Sequence, residues 1–170
     1  MTYALPPPFR VLFVAAFAAL LAACQSAPAP RGFTAAQIVV LKAEGFLETA
    51  NEADDSWQLT LNERLLFPSN ESALQPGQDG RIMALARNLL SVDIVTARVE
   101  GHSDSTGAAA YNLALSQARA QAVAAPMTAG GMRFTPDQIV GRGETLPLSS
   151  NDTPEGRQDN RRVVVIVAPQ

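Results

Sequence analysis

The residues whose types and spacing could do chemistry are concentrated between positions 101 and 120. Asp104 lies near the end of a segment that resembles a strand, and Asn112, Ser116 and Arg119 follow on a segment that resembles a helix. Asn112 and Arg119 are seven residues apart, about 700° of helical rotation, and Ser116 lies near the same line. The sequence therefore predicts a carboxylate at a strand end, beside a polar row that finishes in a guanidinium.

A carboxylate and a guanidinium in this arrangement suit a zwitterionic ligand. Asp104 can hold an ammonium group, and Arg119 can bind a carboxylate through two parallel hydrogen bonds. Diaminopimelate, a component of peptidoglycan stem peptides, carries both groups on one carbon. The alternative is that Asp104 and Arg119 form a structural ion pair that binds no ligand.

The pattern of apolar residues predicts the elements that must position these side chains. Thr34 and Gln37 form a capping box that opens a short helix over about 35–45, and alternation from Trp57 predicts a strand continuing irregularly to Phe67. The order of elements, βαβαββ, favours an α+β fold with helices on one side of a small mixed sheet. The remaining predicted elements are a helix over 76–90, a strand over 95–101, an Ala-rich helix from 111 to about 125, and strands over 138–143 and 163–167. Pro126 is expected to end or kink the Ala-rich helix.

The composition excludes several functional classes. The chain has 170 residues, 47% of them hydrophobic, and a net charge of -3, which suits one folded domain and argues against nucleic acid as a partner. A single cysteine excludes an internal disulfide and a multi-cysteine zinc site. The only histidine, His102, is predicted to pack beside its strand, because no second histidine or nucleophile motif accompanies it. We therefore predict no enzyme activity, catalytic residue, metal or cofactor.

The amino-terminal segment has the features of an export signal. Residues 11–23 contain no polar side chain, but they are too few to cross a hydrocarbon core of roughly 30 Å as a helix. Small residues before Cys24 resemble a bacterial lipobox, which implies a signal peptide over 1–23 and a lipidated Cys24 on a tether over 24–33. Gln25, in place of an aspartate, favours the outer membrane, with the domain on its periplasmic face. The alternative is a soluble secreted protein with a free thiol.

Two signatures resemble those of the OmpA-like peptidoglycan-binding family. The first, T-D-x-x-G-x-x-x-x-N-x-x-L-S-x-x-R-A, is met from Ser103 through Ala120, with Ser in place of the first Thr. The second, N-x-T-x-x-G-R-x-x-N-R-R, is met from Asn151 through Arg162. The resemblance implies an OmpA-like domain over 56–170 that holds the diaminopimelate-containing stem peptide non-covalently.

The resemblance also implies which residues contact peptidoglycan. Asp104 and Arg119 would be the ligand pair, Asn112 a further polar contact, and the loop after Phe67 part of the rim. Family members often have Asp directly after this Phe, where this chain has Pro68. The arginines of the second signature could instead be solvated or paired with the domain's own carboxylates. The full predicted set is Ser103, Asp104, Asn112, Leu115, Arg119, Phe67, Asn70 and Arg161.

Positions within 36–46, together with Trp57 and 90–94, resemble a signalling branch of this family, and the resemblance implies that residues 34–55 form a partner-binding segment. That resemblance implies a YfiR-like periplasmic repressor as a partner, whose capture activates a membrane diguanylate cyclase and cyclic-di-GMP signalling. The side chains predicted to bind the partner are Ile38, Leu41, Phe46 and Trp57. The alternatives are that the segment only packs on the domain or spaces it from the membrane, so that the protein is a purely structural tether. A periplasmic hydrolase and a homodimer also stay open.

Overall fold

A five-stranded mixed sheet and the helices packed on it make up the described part of the chain. The computed structural model describes residues 32–49, 55–68 and 70–169. The predicted signal peptide, Cys24 and most of the tether lie outside the described residues. Within those ranges, no helix combines the length and the apolar character needed to span a bilayer. The helices are α1 (Ala35–Ala43), α2 (Glu63–Leu66), α3 (Gln78–Leu90), α4 (Ala109–Ala129) and α5 (Pro154–Asn160), and the strands are β1 (Leu47–Glu48), β2 (Trp57–Asn62), β3 (Arg98–His102), β4 (Ile139–Gly143) and β5 (Arg162–Val167).

The strand order is β1-β2-β5-β3-β4, with β5 in the centre. β5 pairs antiparallel with β2 and with β3, whereas β3 and β4 are parallel. Because β2 and β3 both run antiparallel to β5, their carboxyl ends and the start of β5 lie together at the same end of the sheet. The predicted α+β class with a mixed sheet is confirmed.

The core lies between the sheet and α3 and α4. Val163, Val165 and Val167 of the central strand are buried, because alternate side chains of β5 point towards the helices. α3 buries the predicted apolar stripe, represented by Leu85 and Leu89, against the same core.

α4 packs unusually close to the sheet. A Cβ atom on Gly101 would collide with the backbone carbonyl of Ser116, and one on Gly141 would collide with the backbone of Gln117. Glycine at both strand positions, with small side chains such as Ala120 on the helix, therefore permits direct contact between backbones. This close contact fixes α4, which carries most of the predicted site residues.

Three predicted boundaries are wrong. The strand beginning at Trp57 ends at Asn62 and is followed by the one-turn helix α2, whose first turn Asn62 caps by accepting a hydrogen bond from the Arg64 amide. A short helix, α5, separates the last two strands, opened by Thr153 as its cap. α4 does not end before Pro126 but continues to Ala129, because burial of its last turn outweighs the missing backbone hydrogen bond.

α1 belongs to the domain and does not stand apart from it. The capping box between Thr34 and Gln37 is confirmed. The side-chain amide of Gln37 also donates to the Val92 carbonyl at 3.1 Å, which joins α1 to the rest of the domain. Leu41 is fully buried, and Ile38 packs against the core from the same helix.

The predicted partner-binding side chains are therefore core residues. Leu41, Phe46 and Trp57 are at most 5% exposed, and Ile38 is partly buried, so these side chains do not form an accessible surface. The apolar period that suggested them was the signature of packing against this domain. The large apolar residues that the described part of the segment exposes instead are Val39 and Leu47, at 67% and 70%.

Candidate functional site

The candidate site lies where β2 and β3 end and β5 begins. Glu63 directly follows β2, Asp104 lies just beyond β3, and Arg161 directly precedes β5. The sheet register places the ends of β2 and β3 on either side of the first residue of β5, so these three chain segments converge. α4 then adds Asn112 and Arg119 from the helical layer.

These segments enclose a pocket of about 370 Å³. All eight residues that the sequence predicted to contact the ligand line it. The structure thus brings residues from four distant parts of the chain into one concave surface, as a ligand site requires. The lining residues are Glu63, Arg64, Phe67, Asn70, Ser103, Asp104, Thr106, Tyr111, Asn112, Leu115, Arg119, Arg157 and Arg161.

A chain of ion pairs crosses the floor of the pocket. Arg119 donates to Glu63, and Arg161 bridges Glu63 and Asp104 through Nε at 2.6 Å and Nη1 at 2.5 Å. Asp104 and Arg119 therefore line the same pocket without pairing directly with each other. The alternative of a structural ion pair between Asp104 and Arg119 is therefore wrong: each pairs with a different residue, and the two are coupled only through Glu63 and Arg161.

Asp104 is held as a carboxylate. Burial opposes its ionisation, but a backbone hydrogen bond from Thr106 and the bond from Arg161 outweigh burial and keep the pKa of Asp104 below its ordinary value. The Thr106 amide donates to Oδ1 at 2.8 Å, while Arg161 occupies Oδ2. The side chain is thus fixed in position and negatively charged at neutral pH.

Arg119 is almost entirely buried, yet it is part of the pocket lining. Its Nε donates to the Glu71 carbonyl at 3.0 Å, and its guanidinium lies 5.4 Å from the centre of the Phe67 ring. The aromatic face stabilises the charge, and Glu63 neutralises it. Phe67 therefore acts on the site by supporting Arg119 as well as by lining the pocket.

Asn112 positions the loop that carries Asp104. Its side-chain amide donates to the carbonyls of Asp104 and Thr106, at 3.2 and 3.1 Å, and to the Glu144 carboxylate at 2.8 Å. The amide hydrogens are therefore largely used within the protein. This geometry favours a positioning role for Asn112 over the direct ligand contact that the resemblance implied.

The second signature builds the opposite wall of the pocket. Asn160 is fully buried, and its side-chain oxygen, Oδ1, accepts hydrogen bonds from the backbone amides of Leu148 and Ser149. Its amide donates to the Asn151 side chain, which also accepts from the Ser105 amide. These bonds fix α5 against the loop after Asp104, and thereby fix Arg161 in the pocket.

Five lining residues were not predicted, and Glu63 is the most informative of them. It was missed because the segment after Trp57 was interpreted as one irregular strand to Phe67. An acidic residue directly after a strand, matching Asp104 after the next strand, was the available signal. The other four residues that sequence analysis did not assign to the site are Arg64, Thr106, Tyr111 and Arg157.

His102 lies outside the pocket. It alternates with Gly101, which faces α4, and so points to the other face of the sheet, where its Nε2 is 3.7 Å from Glu100 Oε2. Burial first, and the charge of Arg162 second, lower the pKa of His102 to about 4. His102 is therefore neutral at pH 7 and occupies the packed position that was expected for it.

This fold and pocket define the class of protein. The model of the OmpA family matches residues 66–161, which is more than half of the chain. The chain therefore belongs to the OmpA family.

Three relatives, which match between 61% and 94% of the chain, agree with this assignment. The chain is 38% identical over 162 residues to the outer-membrane lipoprotein YfiB of Pseudomonas aeruginosa, covering 94% of each protein. It is 30% identical to the solved cell wall anchor of the T6SS from Pseudomonas aeruginosa, with a TM-score of 0.59 over 79% of this chain and 95% of that one. The peptidoglycan-associated lipoprotein from Burkholderia pseudomallei is 25% identical, with a TM-score of 0.51 over 61% and 87% of the two chains. The predicted localisation as an outer-membrane lipoprotein is confirmed at the level of these relatives.

Proposed function

We propose that this protein binds the diaminopimelate-containing stem peptide of peptidoglycan non-covalently, while a lipidated Cys24 anchors it in the outer membrane. The observation that carries the proposal is a single pocket lined by a fixed carboxylate, Asp104, and a fixed guanidinium, Arg119. The names of the relatives, a cell wall anchor and a peptidoglycan-associated lipoprotein, support the same ligand.

The pocket suits a zwitterionic carbon because its charged groups are held before the ligand arrives. The ligand's ammonium would lie against Asp104, and its carboxylate would accept hydrogen bonds from Arg119. Nε of Arg119 donates to the Glu71 carbonyl and Nη2 donates to Glu63. Among the residues that the structure describes, Nη1 has no such partner, so this nitrogen can donate to a ligand. Because Glu63 and Phe67 already hold the side chain in place, little rotamer entropy is lost on binding.

The role is one of binding, not catalysis. His102 is buried on the other face of the sheet, away from Ser103 and Asp104 in the pocket wall. Four of the charged side chains that line the pocket, Glu63, Asp104, Arg119 and Arg161, are instead paired with one another. We therefore propose a non-enzymatic cell-wall tether.

Calorimetric titration with two stem peptides tests this proposal. We expect the folded domain, residues 32–170, to bind a stem peptide containing diaminopimelate, and to bind the matching lysine peptide at least about tenfold more weakly. Lysine retains the ammonium group but lacks the carboxylate on the same carbon, so the bond to Arg119 is lost. Equal heats for the two peptides, or none for either, would contradict the assignment.

We further propose that the protein captures a YfiR-like periplasmic repressor and so activates a membrane diguanylate cyclase. The similarity to YfiB over 94% of both chains supports this second function. Since Leu41, Phe46 and Trp57 are buried, the surface that could bind a protein comprises the exposed Val39 and Leu47. Val39 lies on α1 and Leu47 on the edge strand β1, and two large exposed aliphatic side chains on one short segment fit a protein contact.

Paired serine substitutions test this surface. We expect Val39→Ser with Leu47→Ser to abolish both the capture of the purified repressor and the rise in cellular cyclic-di-GMP, because the contact loses its apolar area. Leu148→Ser, which changes an equally exposed leucine elsewhere, is the matched control and should do neither. Normal capture and normal cyclic-di-GMP in the double variant would exclude this surface.

A further inference from the structure

The pocket contains more positive than negative charge. Four arginines line it (Arg64, Arg119, Arg157 and Arg161), but only two carboxylates, Glu63 and Asp104. A zwitterionic carbon has no net charge, so its binding leaves this imbalance unchanged. The surplus indicates that the complete ligand carries more carboxylates than ammonium groups.

The surplus belongs to two arginines at the sides of the pocket. Arg119 and Arg161 are paired with the two lining carboxylates. Arg64 and Arg157 form no ion pair with any carboxylate among the residues that the structure describes.

Their surroundings leave both guanidinium groups able to reach a ligand. Arg157 donates from Nη1 to the Asn151 carbonyl at 2.7 Å, which fixes the side chain without neutralising it. Arg64 is exposed on α2, next to Glu63. One side chain is thus held in place and the other is free to follow a ligand group at the mouth of the pocket.

Nearby acidic side chains do not cancel the surplus. Glu144 lies beside the pocket but not in its lining, and it accepts a hydrogen bond from Asn112. Counting it as a third carboxylate still leaves one arginine uncompensated. Glu71 contacts Arg119 through its backbone carbonyl, and its side chain is exposed.

We propose that Arg64 and Arg157 form a subsite for a second carboxylate of the ligand. This inference rests on the proposed function, in which the pocket floor holds diaminopimelate. In a stem peptide the neighbouring D-glutamate is linked through its γ-carboxyl group, so its α-carboxylate is free and lies one residue away. The protein therefore selects stems with a free D-glutamate α-carboxylate over stems in which this group is amidated.

Two synthetic tripeptides test the subsite, one with D-isoglutamate and the other with D-isoglutamine before the same diaminopimelate. We expect wild type to bind the acid about fivefold to tenfold more tightly than the amide, as one or two partly exposed ion pairs would give. This preference should shrink as ionic strength rises. Arg64→Gln with Arg157→Gln should bind the acid only as tightly as wild type binds the amide. Arg81→Gln with Arg87→Gln removes the same two positive charges from α3, outside the pocket, and should keep the preference.

The outcomes separate this inference from the proposed function. Equal affinity of wild type for the two tripeptides would overturn the subsite and leave the diaminopimelate site intact. An acid preference that persists in the double variant would also overturn it, because the selectivity would then arise elsewhere. Absence of binding to both tripeptides would reject the proposed function and the subsite with it. The single variant Arg64→Gln replaces an exposed side chain and should fold normally. A weaker preference for the acid in this variant therefore reports on the subsite alone.

Discussion

Replacing Asp104 with asparagine should weaken binding of the diaminopimelate stem peptide at least about 30-fold, or about 2 kcal/mol. The substitution keeps the shape of the side chain and its acceptor for the Thr106 amide. It removes the negative charge that would hold the ligand's ammonium, and it leaves Arg161 without one of its two carboxylate partners. Calorimetric titration of wild type and variant measures the effect.

The control for this prediction is Asp93→Asn. Asp93 is exposed, lies outside the pocket and has a φ of 62°, a conformation that asparagine tolerates. The Asp93→Asn substitution should leave the affinity for the stem peptide unchanged, although it changes the net charge by the same amount as Asp104→Asn. Wild-type affinity in Asp104→Asn would show that the carboxylate does not contact the ligand, and the cell-wall assignment would fail.

Replacing Glu63 with glutamine should lower the free energy of unfolding by about 3 kcal/mol. Glu63 is the carboxylate that neutralises Arg119, whose side chain is only 2% exposed, and it also holds Arg161. Without the negative charge, a guanidinium stays buried with no compensating ion. Urea unfolding, followed by fluorescence of the single buried tryptophan, Trp57, measures the change.

Glu71→Gln is the matched control for the unfolding experiment. Glu71 contacts Arg119 through its backbone carbonyl, so the substitution leaves this hydrogen bond in place. Because the side chain of Glu71 is exposed, its replacement should change the free energy of unfolding by less than about 0.5 kcal/mol. Similar unfolding curves for Glu63→Gln and Glu71→Gln would mean that the buried pair contributes little to stability. The ion-pair chain would then have no more than a positioning role.

The order of these two effects follows from burial. Asp104 is paired with Arg161, whose side chain is 28% exposed, so water can replace part of the lost interaction when no ligand is present. Arg119 has much less access to solvent, because only 2% of its side chain is exposed. We therefore expect Asp104→Asn to act mainly on binding and Glu63→Gln mainly on stability.

The sequence alone determined the longer elements and most of the pocket, but not the short helices α2 and α5. Asn112, Ser116 and Arg119 share a helical face because the period of an α-helix is a local property, readable from spacing. The alternation in β2 and the β-branched run of β5 were readable for the same reason. The resemblance to the family, through its two signatures and the loop after Phe67, then identified eight residues, all of which line the pocket.

The partners of the charged groups could not be read from the sequence. Arg119 binds Glu63 across 56 positions, and Arg161 binds Asp104 across 57. Which carboxylate pairs with which guanidinium depends on the register of three strands and on the close packing of α4. Neither the register nor the helix packing produces a pattern in the local sequence.

Burial was decided in the same way. Leu41, Phe46 and Trp57 have the spacing and character of a binding face, and that pattern is identical whether the face meets a partner or the protein's own core. Only the tertiary structure shows that the domain itself covers them. Local chemistry thus fixed the secondary structure and the candidate residues, whereas long-range packing decided which charges pair and which apolar side chains stay exposed.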